Sequence, residues 1–471
     1  MATSKTVVVW DDIWKKISDS TESPLGAAAP TLEEPLTIFV TTTGNDSGFG
    51  TLSSPYATVQ KAIDYLKPFN IRSAVTISLG AGTFAPFVVE GLTFSGAGSL
   101  KIVGTYTVTY TGTVTSTAAI FSNVAHQQLT DTGAAFSVDG VASLILRSVN
   151  PTTPTNRYRV AVTNTATTID YMGTATGTLG AGAQYEVLTL NTIIANTQAA
   201  SGIHFGVNTN PAFPIGNSSA ALNYRITLET VEIQCNSPGV ANTNGTGGIS
   251  SNGGSFVMDG CRVIGGNASL SPTPLVFINT NSLIQACHVF ERRPGGGVGN
   301  TTFNISRGGA GLTVMSQCYI KKVTNTSYTA ILGVAPFQLT TTCIEGFAVG
   351  LNYDAASLMF STTSLWLRGC ATGVVCSGRM PILAAEITGA TTGISVLDGG
   401  HIVSFFAGTI TATTGISATR GGKCQIVSTA TITATNELSV DGVVVTLATM
   451  RAASPRITPT TPNVYGSYIY E

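Results

Sequence analysis

"LTVMSQCYIKKVTNTSYTAILGVAPFQLTTTCIEGFAVGLNYDAASLMFSTTSLWLRGC", Leu312 to Cys370, contains three cysteines at near-equal intervals and no helical stripe. Each cysteine ends a short alternating run ("LTVMSQC", "LTTTC", "LWLRGC"), and glycines and polar turns separate the runs. Alternation with period two reads as strand, because successive side chains face opposite sides. The same beat extends upstream through "VEIQC", "FVMDGC" and "LIQAC". Cys235, Cys261, Cys287, Cys318, Cys343 and Cys370 are thus spaced by 26, 26, 31, 25 and 27 residues. Downstream the beat passes to Gly350, Gly373, Gly393 and Gly415, separated by 23, 20 and 22 residues.

A unit of twenty-odd residues made of short strands cannot bury its inner face alone, whereas stacked units share a continuous core. A parallel β-helix fits this period. No LxxLxL pattern, WD signature or helix per unit favours a leucine-rich repeat or a propeller. The six cysteines are expected to form an inward packing ladder.

Composition agrees. Of 471 residues 43 % are hydrophobic but only 10 % are charged, so hydroxyls and amides must wet the surface. Fifty-two glycines and many β-branched residues favour strands and turns. A net charge of −1 offers no basic field for nucleic acid, and no apolar run approaches a membrane span. "MATSKTVVVWDDIWKK" has too short an apolar core for a secretory leader, so a soluble chain made in a cytosol is expected. His126, His204, His288 and His401 are scattered and no CxxC pair occurs. No metal and no cofactor is expected.

"IFVTTTGNDSGFGTLSSPYATVQKAIDYL" (Ile38–Leu66) differs from everything after it. Val59, Ala62, Ile63 and Leu66 recur at helical spacing, after a Gly- and Asx-rich turn. The open end of a solenoid exposes backbone groups and an apolar bore, and this amphipathic helix would plug it. The strand, the TGNDSxxGT turn and SPYATVQKAI together resemble the N-terminal motif of pectate-lyase-like right-handed β-helices. That form is typical of phage tailspike and tail-fibre proteins. Gly44, Asn45, Asp46, Gly50, Pro55, Ile63 and Leu66 are its structural residues here.

The chain divides into residues 1–35, an N-terminal segment and linker; 36–124, the cap and first rungs; 125–196, a β-rich insertion; 197–445, the main β-helix; and 446–471, a closing tail. Trp10, Ile13, Trp14 and Ile17 lie at helical spacing and are read as an anchor docking into a larger assembly. The insertion also looks like one found in phage and bacterial β-helix proteins.

The resemblance implies a homotrimeric virion tail spike or fibre, assembled in the host cytoplasm. It would be attached through residues 1–35 to other tail or baseplate proteins and would contact a host surface glycan. A polysaccharide depolymerase (hydrolase or lyase) on the same scaffold, or a purely structural baseplate or head-fibre component, are the alternatives.

Cleavage of a glycosidic bond generally uses two carboxylates about 5 to 9.5 Å apart, which means acids stacked on nearby rungs. Asp354, Glu386 and Asp398, with His401 beside Asp398 in "LDGGHI", are the candidates. The glycine beat also pairs Asp398 with Arg420 and Glu345 with Arg368, which reads as charge-balanced stacking. "RRPGGGVGN" (Arg292–Asn300) lacks the Lys-Ser/Thr of a phosphate loop and reads as a turn.

Overall fold

The computed structural model describes residues 29–448 and 468–470, apart from 122–123, 142–143, 150–156, 174–178, 197–202, 206–225, 236–245, 253–254, 266–272, 279–280, 293–300, 307–311, 323–327, 334–336, 355–360, 406–407, 428–429 and 442–443. Trp10, Ile13, Trp14 and Ile17, and most of the tail, lie outside the described residues.

Every coil contributes to three stacks of parallel strands, so the fold is an all-β parallel β-helix. A representative coil runs through Tyr319–Lys322 on the first face and Thr329–Gly333 on the second. Phe337–Glu345 then covers the third face and bends onto the first face of the next coil. On the second face Phe87, Ile203, Ile249, Phe303, Ile331, Leu351, Val374, Ile394 and Ile416 share one register column and are buried. Each coil alone would leave these side chains half wet; stacking at about 4.8 Å removes them from water. The last described strand, Tyr468–Tyr470, lies parallel on Val444–Ala448.

The corner between third and first faces is made by one residue per coil in the left-handed region. Thr230, Gly260, Ala286, Gln317, Thr341 and Ser364 have φ of 53, 61, 48, 58, 51 and 62°. Only one is glycine, although such a φ costs a side-chain-bearing residue about 1–2 kcal/mol. The coils impose it: Thr230, Gly260, Ala286 and Gln317 each donate N–H to a carbonyl of the next coil at 3.0–3.2 Å.

The cap is built from one helix and the turn that leads into it. In the helix Val59–Leu66 (α1), Val59, Ala62, Ile63 and Leu66 are buried in the same core as the rungs. Asp46 holds the turn to the helix: Oδ1 accepts from the N–H of Ala57 and Thr58, both at 2.9 Å, and Oδ2 from the Thr58 hydroxyl at 2.7 Å. Thr58 in turn caps α1 by accepting from Lys61 N–H. A Cβ on Gly44 would fall 2.2 Å from the Tyr56 carbonyl oxygen, and Gly50 has φ +69°. Asn45 N–H donates to the Pro55 carbonyl at 2.9 Å.

Two expectations are corrected. The inserted unit is a seven-stranded antiparallel sheet from Tyr106 to Leu190, not 125–196. Tyr106–Thr113 pairs antiparallel with Gln184–Leu190, whereas Thr192–Asn196 already lies parallel on Gly82–Phe84 as a rung. The cysteine ladder also differs. All eight thiols are free and buried, but the register column is Val231, Cys261, Cys287, Cys318, Thr342. Cys235 occupies a position four residues further along its coil, and Cys370 shares its turn with Phe347 and Ala390. Cys343 pairs with Tyr319, one residue beyond the ladder, and so faces outward.

Candidate functional site

The outward side of the first face carries one column in which Glu232, Arg262, His288, Tyr319, Cys343, Trp366, Glu386, Thr409 and Thr431 succeed one another. Its middle is roofed by the inserted sheet. Ile145, Tyr158, Val160, Val162, Met172 and Leu188 form one buried cluster with Ala286, Tyr319, Cys343 and Trp366. The His126 ring lies 4.5 Å from that of Trp366. Burial, with the nearby Arg368 charge, pushes His126 down to about 4. His288, fully buried beside Tyr319, is held well below the usual imidazole range by desolvation and by Arg262 and Lys321. Tyr319 donates to Glu345 at 2.7 Å, and Lys321 and Arg368 lie 3.6 and 3.8 Å from the same carboxylate.

A carboxylate pair invisible in the cysteine beat lies at the edge of this seam. Glu229 and Asp259 are register partners on consecutive coils. Glu229 accepts from the Tyr158 hydroxyl at 2.7 Å and is ion-paired with Lys101, with Arg157 at 3.8 Å. Desolvation, then the Glu229 charge, raises Asp259 to about 7, against the pull of Lys101, Arg159 and Arg157. The raised Asp259 has the protonation state that a general acid needs. It is closed to a polymer, however. A Cβ added at the adjacent Gly260 would meet the Tyr158 ring at 2.9 Å. The aligned acids hold the roof.

The four sequence candidates are not brought together. Asp354 accepts from Ser377 at 3.1 Å on the corner after the second face. Asp398, with φ +50° in the corresponding turn two coils on, is paired with Arg420 at 3.0 Å. Glu386 is buried on the first face, hydrogen-bonded to Thr409 and raised by desolvation. His401 begins a strand of the third face, between Arg379 and Lys423. Spacing counted from Cys235 hides Glu229 and Asp259; counted from Val231 and Cys261, each acid stands two residues before the ladder. Among the described residues, no group of His, Cys, Asp and Glu converges as a metal site. No helix there is long and apolar enough to cross a membrane.

Beyond Trp366 the roof ends and the outward columns turn to hydroxyls. Thr372, Thr392 and Thr414 stack on the second face with Val375, Ser395 and Ser417 beside them, while Thr388, Thr411 and Thr433 stack on the first. The bore behind them stays aliphatic through Ile394, Ile410 and Ile416. This is an open face with hydroxyl donors and acceptors on successive rungs, and Glu386 stands in its first-face column.

No protein-family model matches the chain, and no curated protein does. Among solved structures it is similar to a tailspike protein of an Acinetobacter baumannii bacteriophage, a capsular polysaccharide depolymerase. That similarity has 10 % identity and a TM-score of 0.44, over 91 % of this chain and 65 % of the other. It is also similar to XylC bound to xylose (12 %, TM-score 0.33, 84 % of this chain and 70 % of that one). A Pseudomonas phage tailspike gives 11 %, a TM-score of 0.24 and coverages of 83 % and 74 %.

Proposed function

We propose that the chain is a spike or fibre protein of a phage virion tail whose bare flank contacts host surface glycans. The carrying observation is the hydroxyl-lined face of the later coils, Thr372 to Thr433, outside the inserted roof. Repeated hydroxyls on a rigid backbone suit the shallow, polar recognition of a sugar chain, which offers few apolar groups to a pocket. The cap motif around Asp46 supports the same reading, since it is the feature in which the sequence resembles tailspikes. Attachment through residues 1–35, with Trp10 and Trp14 as anchors, assembly as a homotrimer and completion in the host cytoplasm belong to this proposal.

The test is competition: purified chain added to host cells should block adsorption of the particle, and labelled chain should bind the extracted surface polysaccharide. Unimpeded adsorption at saturating protein would overturn the reading. The same incubation separates binder from depolymerase, because cleavage releases new reducing ends or an unsaturated product absorbing in the ultraviolet. Trp10→Ala with Trp14→Ala should leave glycan binding intact and abolish incorporation into particles.

A further inference from the structure

Charges are scarce on this protein, and most that are described are neutralised. Lys67, Arg72, Lys101, Arg147, Arg157, Arg262, Lys321, Arg368 and Arg420 each lie within 4 Å of a carboxylate. Arg292 and Lys322 lie over aromatic rings, and Arg159 is buried with its guanidinium donating to the Tyr158 carbonyl. Against that background Arg379 and Lys423 stand out. Both are exposed, and among the described residues neither has a carboxylate or ring partner. Both occupy one register column on the third face, with His401 between them on the intervening coil. The N–H of His401 donates to the Gly378 carbonyl and that of Lys423 to Gly400, both at 2.8 Å, so the backbone fixes the spacing. The flanking column, Met380, Ile402 and Cys424, is buried in the bore. Alternation therefore turns Arg379, His401 and Lys423 outward.

Like charges in register repel, and a sheet tolerates them at a cost in stability. Here two cations lie roughly 10 Å apart across two rungs, with an imidazole between. The corner just before this column shows the ordinary solution, where Arg420 meets Asp398 at 3.0 Å. Among the described residues the column itself lacks such a partner.

We propose that Arg379, His401 and Lys423 form a docking strip for a carboxylate-bearing glycan, a chain of acidic sugars laid along the rungs. This rests on the glycan-contact reading above and names the substrate class. A guanidinium presents a fork that matches a carboxylate, an ammonium adds a point charge, and the imidazole offers a hydrogen bond between them. A single exposed pair would be weak, but sites repeated along a rigid rod reinforce one another. Desolvation and the charges of Arg379 and Lys423 hold His401 below its ordinary range, so it is neutral at pH 7. At the adjoining corner Asp398 is engaged with Arg420, and Asp354 accepts from Ser377. An acidic ligand would favour His401 protonation, so its binding should tighten as pH falls from 7 to 5.

The experiment measures binding of the full chain to polygalacturonate at low salt, with dextran as the uncharged and dextran sulfate as the sulfated probe. Polygalacturonate should bind at least tenfold more tightly than dextran. Arg379→Gln with Lys423→Gln should remove at least a factor of ten, while Lys61→Gln, which removes an exposed cation on α1, should change nothing. His401→Gln should flatten the rise between pH 7 and 5. Equal binding of polygalacturonate and dextran, or an unchanged double variant, overturns the proposal. Preference for dextran sulfate overturns the carboxylate assignment. If the double variant alters sedimentation mass instead of affinity, the strip faces a second copy of the chain and the proposal also fails. Adsorption competition keeps the two readings apart: wild type and double variant blocking the particle equally well would sink the strip and leave glycan contact standing.

Discussion

The two halves of the first-face column have the same backbone and opposite surroundings. From Arg262 to Trp366 the outward side chains are His, Tyr, Cys and Trp beneath the inserted sheet; from Thr409 onward they are threonines facing water. Coil length changes with them, from 30 residues between Glu232 and Arg262 to 20 between Trp366 and Glu386. The bore is apolar in both halves, so the inner face makes the rod and the outer face chooses its neighbour. Where the outer residues are large and apolar, a protein domain covers them; where they are hydroxyls, the flank stays open to a polar partner.

Truncating the two halves should break this symmetry most visibly. Trp366→Ala removes a nearly buried side chain that packs against His126, and should cost about 3–5 kcal/mol in chemical denaturation. Thr431→Ala, three coils on in the same column and exposed, should cost less than about 0.5 kcal/mol. Equal effects would mean that the roof contributes nothing to stability.

The seam should also make stability depend on pH from both sides. Asp259 is raised to about 7, so between about pH 4 and 7 the native state holds a proton that the unfolded chain has lost. Stability therefore falls as pH rises through that window. His126 is lowered to about 4, so between 6.5 and 4 the unfolded chain takes up a proton that the native imidazole refuses, and stability falls as pH drops. Asp259→Asn should raise stability at pH 8 by about 2–4 kcal/mol and change it little at pH 4. Urea midpoints at the two pH values give the answer. A gain of equal size at both would contradict a raised Asp259.

How much of this is legible in the sequence differs between the two ends. The cap is legible because each residue has a local task within twenty positions: Gly44 for clearance, Asp46 for the helix turn, Ile63 and Leu66 for the plug. The rung period is legible for the same reason, since it recurs. The corner is not: Thr230, Ala286, Gln317, Thr341 and Ser364 carry no sign of left-handed backbone, and at Thr230, Ala286 and Gln317 hydrogen bonds to the next coil hold it. Cys343 misleads because one extra residue after Gln317–Cys318, in Thr341–Thr342–Cys343, sends it to the other side, where the roof buries it as thoroughly as the bore would. The paired acids Glu229 and Asp259, and the column Arg379, His401 and Lys423, depend on register between coils of unequal length, which spacing alone leaves undetermined.

Two glycines with nearly equal backbone isolate the contribution of the roof. Gly260 has φ +61° and lies under Tyr158, whereas Gly369 has φ +59° and nothing within 4 Å of an added Cβ. Gly369→Ala should cost about 1–2 kcal/mol, for the left-handed backbone alone. Gly260→Ala adds displacement of a ring that holds Glu229 at 2.7 Å, and should cost about 1–3 kcal/mol more. Matching losses would mean that the inserted sheet yields freely at this edge.

The smallest effect belongs to the bare side. Asp398 and Arg420 are both largely exposed and meet at 3.0 Å across one rung. An exposed pair gains little over its solvated ends, and salt screens what remains. Asp398→Asn should therefore lower stability by less than about 1 kcal/mol at low salt and by nothing measurable at 1 M. Its value lies in the ligand assay. Releasing Arg420 adds a third unpaired cation beside Arg379 and Lys423, so Asp398→Asn should tighten polygalacturonate binding while leaving dextran binding unchanged. A variant that lost both stability and glycan binding would instead place Asp398 among the residues that touch sugar, and the open face would need an acid where only hydroxyls and cations are assigned.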